Sequence, residues 1–249
     1  MSGAVVLVTG AGGGIGAATA RRLAREGAAV ALVAGRGDRL DRVASDLTSG
    51  GGRAITVAAD ITEPALAYQA VEEAHERLGR LDVVVNSAGL MVLDTALHAP
   101  IEEWDRMISL NVTALAHITH AALPYLIDAA ATSPRRVADL VNVGSLAGRI
   151  ARPTGSVYSL TRFGLHGFTE SLRQELLSDR VRVSVVAPGT VDTSVRDTDG
   201  TAWDAARRTA DPMAALRPAD VADAIAYIVT RERHVAVNEM VVRPGGQTG

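Results

Sequence analysis

The sequence predicts an α/β protein: one parallel sheet of about seven strands, doubly wound with helices on both faces. Two observations carry that expectation. Short, largely apolar runs, the first of them wholly so, alternate with longer segments of helical periodicity, and buried parallel strands read as such runs. No linker, internal repeat or shift of composition interrupts the alternation, so residues 1–249 are expected to form one domain.

The chain has 249 residues, 47% of them apolar and only 3% aromatic, so it can bury a full core and that core must be aliphatic. A net charge of -3 gives no electrostatic reason to expect a nucleic acid or an anionic membrane as partner. Cysteine is absent, which excludes disulfides and thiolate chemistry. No signal-type segment opens the chain, and no apolar run approaches the roughly 20 residues of a membrane span, so a cytoplasmic location is expected. All 25 basic residues are arginine; the chain has no lysine.

Ala4 to Val8 reads as the first strand. It ends in Thr9-Gly10-Ala11-Gly12-Gly13-Gly14-Ile15-Gly16, after which Ala17 to Glu26 has helical periodicity that stops at Gly27. Strand, glycine loop and helix in that order suit a dinucleotide. Glycine lets the backbone approach a pyrophosphate, and the exposed N–H groups of the helix start bind its charge. Ala28 to Ala34 is the second strand. An acid at its end would hold the ribose 2′-OH of NAD, and an arginine the 2′-phosphate of NADP. Arg36 stands there and points to NADP, with NAD possible, while Asp38 reads as N-cap of a helix from Arg39 to Leu47.

Arg53 to Ala59 is a third strand ending at Asp60-Ile61, Glu63 to Leu78 a helix, and Asp82 to Val85 a fourth strand opening into Asn86-Ser87-Ala88-Gly89. Ligands of such sheets lie beyond the carboxyl ends of the strands, and all these glycines and polar residues fall at that edge. Ile101 to Ala131 reads as one long helix kinked at Pro124, with Asn111 either bonded to backbone or facing a site. His117 and His120 share a face of it without a metal-binding motif, so no metal is expected. Val137 to Val143 is a fifth strand that delivers Ser145 to the same edge. Thr154 to Leu177 is a helix, and Val181 to Ala187 a sixth strand running into Pro188-Gly189-Thr190-Val191-Asp192-Thr193. The polar, irregular stretch Ser194 to Pro212 suits a mobile lid within a substrate loop at about 190–215. Pro218 to Val229 is the last helix and Val235 to Val242 the last strand.

Tyr158 and Arg162 are four residues apart in a predicted helix and so share a face. A neighbouring cation favours the phenolate over the phenol, which makes Tyr158 a candidate proton donor or acceptor. The competing reading is packing plus a solvated charge.

Together these residues resemble the short-chain dehydrogenase/reductase family over essentially the whole chain. Thr9 to Gly16 matches the family's Thr-Gly-x-x-x-Gly-x-Gly loop and Asn86 to Gly89 its Asn-Asn-Ala-Gly segment with one change. Asn111, Ser145 and Tyr158 match its catalytic Asn, Ser and Tyr. The resemblance implies a Rossmann-type fold and reversible hydride transfer between NADP(H) and a small carbonyl or alcohol substrate. It implies Tyr158 as general acid/base, Ser145 holding the reacting oxygen and Asn111 holding a water. Around the cofactor it implies Gly10, Gly14, Ile15, Gly16, Arg36, Asp60, Ile61, Asn86, Ala88, Gly89, Tyr158, Arg162, Pro188, Gly189, Val191 and Thr193. It further implies a homotetramer or homodimer. Tyr158 to Leu177 and the ending Val237 to Pro244 look most like a branch acting on small hydroxy acids or aldehydes.

The departure is Arg162, where the family has lysine. Its guanidinium keeps the charge, but it is bulkier and cannot lose its proton. A working reductase is the first expectation. The alternatives are a non-redox enzyme, such as an isomerase, cyclase or dehydratase, and a catalytically silent NADP-binding protein.

Overall fold

The computed structural model describes residues 1–193 and 215–247. Seven strands lie in one sheet: β1 (Val5–Thr9), β2 (Ala29–Ala34), β3 (Arg53–Ala58), β4 (Val83–Asn86), β5 (Ala138–Val143), β6 (Val181–Pro188) and β7 (Glu239–Val242). Their order is β3-β2-β1-β4-β5-β6-β7, with every pairing parallel. This is the predicted Rossmann-type doubly wound sheet. The chain steps outward from β1 to β3, returns to β4 beside β1, and steps outward again. β1, β4, β5 and β6 are buried at every position, which is why apolar residues dominate them; β5 also buries Asp139 and Asn142, and β6 Arg182 and Ser184. The edge strands β3 and β7 are mostly part-exposed.

One face is covered by α3 (Pro64–Leu78), α5 (Leu115–Thr132) and α6 (Ser156–Glu175), the other by α1 (Gly14–Arg25), α2 (Gly37–Ser49) and α7 (Pro218–Val229). A shorter helix, α4 (Ile101–Ile108), precedes α5. Leu23, Ile118, Leu126 and Ile225 are wholly buried between helix and sheet, each contributing about 1.5–3 kcal/mol of transfer free energy. Among the described residues no helix is long and apolar enough to cross a membrane, and no cluster of three or more His, Asp or Glu side chains could hold a metal.

Three elements differ from the sequence reading. The long helix runs without a gap but passes through a π-helical turn, Ser109–Ala114, that contains Asn111, and Pro124 lies inside α5. Pro124 has no N–H to offer the His120 carbonyl one turn earlier, and His120 is an exposed residue. Asp38 is not an N-cap. The cap of α2 is Arg36, and Asp38 lies in the first turn, where it complements the helix dipole and accepts from Arg42 Nη2 at 3.1 Å. β7 starts at Glu239 rather than Val235, because the Val235 carbonyl is taken by Arg182 Nη1 at 2.6 Å. The stretch Ser194 to Pro212 lies outside the described residues, which resume at 215.

The amino-terminal edge of the sheet is closed by buried ion pairs. Asp139 on β5 is wholly buried and faces Arg182 across the β5–β6 register. It accepts from Arg182 Nε at 2.7 Å and Nη2 at 3.0 Å, and from Arg135 Nη2 at 2.6 Å. Asp82, also wholly buried, accepts from the Val5 amide at 2.8 Å and Arg80 Nε at 2.9 Å. Removing one member of such a pair strands the other as an unpaired buried charge. Asp139→Ala is therefore expected to lower the unfolding free energy by about 3–5 kcal/mol, read as a shift of the urea midpoint at unchanged slope.

Candidate active site

The site begins where β1 ends. Thr9 Oγ1 accepts from the amides of Ser87 and Ala88, each at 3.1 Å, and so ties the loop after β1 to the loop after β4. Gly10 has φ +67°, and a Cβ there would lie 2.9 Å from the Ala88 backbone. A Cβ on Gly16 would lie 2.4 Å from the Gly10 carbonyl oxygen. Neither position has room for a side chain, and no side chain caps the start of α1. The result is a cradle of bare backbone at a helix N-terminus, which fits a pyrophosphate.

A cleft of about 710 Å³ runs from this cradle along the carboxyl edge of the sheet. It is lined by Gly10, Gly14, Ile15, Gly16, Arg36, Asp60, Ile61, Ala88, Gly89, Ser145, Tyr158, Arg162, Pro188, Gly189, Val191 and Thr193, residues drawn from the ends of β1 to β6 with the loops that follow them and from α1 and α6. Asp60 Oδ1 accepts from the amide and hydroxyl of Thr62, at 3.1 and 2.7 Å.

Two of the expected residues stand behind the wall instead. Asn86 is buried, donating to Thr119 Oγ1 and Asn142 Oδ1, both at 3.0 Å, and Asn142 donates to Thr169 Oγ1 at 2.9 Å. That chain of amides and hydroxyls joins β4, β5, α5 and α6 beneath the cleft. Asn111 is the backbone-bonded residue of the two readings. Its Oδ1 accepts from the Leu90 amide at 2.8 Å, and its Nδ2 donates to the Leu90 carbonyl at 2.8 Å and to Thr161 Oγ1 at 3.3 Å. It fastens the segment after Gly89 to the π-helical turn.

Arg162 is 5% exposed, so its charge lies in the wall rather than in solvent. Nη1 donates to the Val143 carbonyl at 3.3 Å, Cζ lies 5.0 Å from the centroid of the Tyr158 ring, and Nε has no hydrogen-bond partner. A Cβ on Gly89 would lie 2.5 Å from Nη2, so the guanidinium occupies the space that glycine leaves.

Ser145 Oγ accepts from the Ala147 amide at 3.1 Å, which caps the short 3₁₀ turn Leu146–Gly148. His166, one turn beyond Arg162, packs under Gly148, and its Nδ1 lies 3.2 Å from Glu239 Oε1. Arg149 Nε donates to the same oxygen at 2.9 Å. Burial pushes the His166 imidazole below its ordinary pKa, Glu239 opposes that shift and Arg149 adds to it. These contacts clasp the serine turn to α6 and β7.

Three further cleft residues were not singled out from sequence. Arg39 lies one helical turn from Arg36 with its Cβ 3.3 Å from the position of a Cβ on Gly12, and the i, i+3 spacing of the two arginines was the available signal. Arg152 enters from the loop before α6. Gln247 comes from the far end of the chain, its Oε1 accepting from the Thr190 amide at 3.2 Å, and no local pattern announces that contact.

The fit of Arg162 against Gly89 is testable. A methyl group at 89 overpacks the site, so Gly89→Ala is expected to cost about 1–3 kcal/mol of stability. Adding Arg162→Lys should recover most of it, because lysine has no second terminal nitrogen to collide. Equilibrium denaturation of the four proteins gives the coupling directly.

The sequence pattern of the family described as short chain dehydrogenase matches residues 4–202. An uncharacterized oxidoreductase of Staphylococcus epidermidis is 33% identical over 240 residues, covering 96% of each chain, and one from Staphylococcus aureus is equally similar. A short chain dehydrogenase from Burkholderia cenocepacia, solved with NADP, superposes with a TM-score of 0.85 at 30% identity over 98% of both chains. The 3-ketoacyl-(acyl-carrier-protein) reductase of Brucella melitensis, solved with NADH, superposes with a TM-score of 0.86 at 31% identity over 98% of both chains. With this match over most of its length, this sheet order and this glycine cradle, the chain belongs to the short-chain dehydrogenase/reductase family and is an NAD(P)-dependent oxidoreductase.

Proposed function

We propose that the protein reduces a small aldehyde or ketone with NADPH, with Tyr158 passing the proton. The observation that carries this reading is the pairing on α6: the Tyr158 ring with the Arg162 guanidinium 5.0 Å from its centroid, on a cleft that Ser145 also lines. When bound, the nicotinamide supplies or accepts the hydride. The chain supplies the rest. Tyr158 gives its hydroxyl proton to the carbonyl oxygen in reduction and takes it back in oxidation. Ser145 accepts from the Ala147 amide, which leaves its own hydroxyl hydrogen to donate to the same oxygen. Arg162 sets a fixed positive charge beside the ring from which the proton departs, on a side chain largely buried in the wall of the cleft. It takes the place of the family's lysine in this role.

The preference for NADP rests on Arg36 and Arg39, which line the adenosine end of the cleft where a 2′-phosphate would lie. A second reading, a reaction without net redox change, draws on Asn111. Its amide is engaged by Leu90 and Thr161, so a proton route through it would be lost. The whole chain acts as one domain in either reading, with the segment after Thr190 serving the substrate.

Incubation with NADPH and a panel of aldehydes, ketones and keto acids should show loss of absorbance at the reduced cofactor's band, with a lower KM for NADPH than for NADH. Tyr158→Phe should cut kcat by at least about 10²-fold while cofactor binding persists. Arg162→Lys should hold or raise kcat; its collapse would mean a site rebuilt around the guanidinium. Silence of the wild type across the panel would favour the non-redox reading.

We also propose that copies of the chain pair through α4, its π-helical continuation and α6. These adjacent elements expose Ile108, Val112, Leu160 and Phe163. A dimer or tetramer is expected by light scattering after gel filtration, and Phe163→Glu should lower the measured mass. A wild type that runs as a monomer at micromolar concentration would exclude the pairing.

A further inference from the structure

We infer that the substrate carries a carboxylate as well as the reacting carbonyl, and that Arg152 is the residue that selects it. The inference rests on the carbonyl-reduction reading above and names the substrate class of that site.

Beyond Tyr158 and Ser145 the described wall of the cleft includes the uncharged Thr154 and Ser159 and six larger side chains, Leu90, Met91, Leu93, Leu146, Ile150 and Arg152. Five of these are apolar, so the body of the ligand held there is apolar. The sixth is a permanent cation. No aspartate or glutamate lines this half of the cleft among the described residues, and Arg152 makes no ion pair or side-chain hydrogen bond there. Its neighbours contrast with it. Arg149, on the same loop, is bound to Glu239, and Arg162 is turned into the wall against the Val143 carbonyl. Arg36, Arg39 and Asp60 belong to the other end of the cleft, beside the glycine cradle.

The backbone that carries Arg152 is fixed at several points. The Ile150 amide donates to the Leu146 carbonyl at 3.0 Å, and the Gly155 amide to the Arg152 carbonyl at 3.3 Å. The Asp94 amide donates to the Thr154 carbonyl at 2.9 Å, and Thr154 is held at φ +69°, a left-handed conformation that a non-glycine residue adopts at a cost. The loop therefore sets the position of the Arg152 backbone, from which the exposed side chain reaches the cleft. Arg152 is exposed where it lines the cleft, and its planar fork of donors suits a planar carboxylate, which it can hold with two parallel hydrogen bonds. One unpaired cation balances a monoanion, and a phosphate dianion would leave charge without a partner. With the carbonyl at Tyr158 and the carboxylate at Arg152, the reactant is an oxo acid and the product a hydroxy acid.

The test compares 2-oxobutanoate, 4-oxopentanoate and 5-oxohexanoate with their methyl esters, on the full chain and on Arg152→Gln, Arg152→Lys and Arg152→Glu. Wild type should favour at least one acid over its ester in kcat/KM by about 10- to 100-fold, the range for a hydrogen bond to a charged group. Arg152→Gln should abolish that ratio, Arg152→Lys keep part of it and Arg152→Glu reverse it, and added salt should shrink it in the wild type. The same ligands are titrated by calorimetry into Tyr158→Phe loaded with NADP, with and without Arg152→Gln, so that binding is read without turnover. An acid preference in binding that vanishes with Arg152→Gln upholds the inference even where no compound is reduced, and the reduction reading then fails by itself. Equal use of acids and esters by wild type, or an acid preference that survives Arg152→Gln, overturns the inference while turnover keeps the reduction reading.

Discussion

A parallel sheet covered on both faces leaves its polar atoms only two places to go, the two rows of strand ends. Everything else in this fold follows from that restriction. In the body of the sheet, residues such as Leu7, Val84 and Leu140 are wholly buried and every strand hydrogen-bonds to its neighbours. The amino-terminal row is sealed by charges paired within the protein, Asp82 with Arg80 and Asp139 with Arg135 and Arg182. The carboxyl-terminal row is left open, and its loops are held by hydrogen bonds that converge on backbone: Thr9 on Ser87 and Ala88, and Asn111 on Leu90. One end of the sheet spends its polar groups on stability, and the other keeps them for a ligand.

Arg162 shows how far one substitution reaches across such a site. A guanidinium is larger than an ammonium, and its extra nitrogen lies against Gly89, on a loop of another strand. Gly89 is in turn followed by Leu90, which Asn111 grips through both its amide and its carbonyl. The π-helical turn is what brings Asn111 to that grip, since it interrupts the regular turn just where the side chain must face the loop. The π-helical turn, glycine and arginine are thus parts of one contact.

Much of this was legible in the sequence, for a physical reason. Strands buried on both faces show no alternation, and the glycines, Arg36, Asp60, Ser145 and Tyr158 all follow such runs at a strand end or open the next helix. Where the reading missed, a distant group had decided the matter. Val235 to Val237 look like strand, but a carbonyl there is claimed by Arg182 on β6. Asp38 looks like a cap, but α2 begins before it. Gln247 and Arg152 reach the cleft through loop paths that no periodicity encodes, and the space for Arg162 depends on a glycine on another element. Local pattern gives the strand ends; it does not give what crosses between them.

The absence of lysine has a chemical side that concerns reactivity rather than charge. A primary amine beside a carbonyl can condense with it to an imine, and an ammonium that sheds its proton becomes a nucleophile. The guanidinium of Arg162 stays protonated and has no lone pair to offer. Since all 25 basic residues are arginine, no side-chain amine exists anywhere on the protein to capture an aldehyde. The cleft can present fixed positive charge to an electrophilic carbon and remain covalently inert towards it.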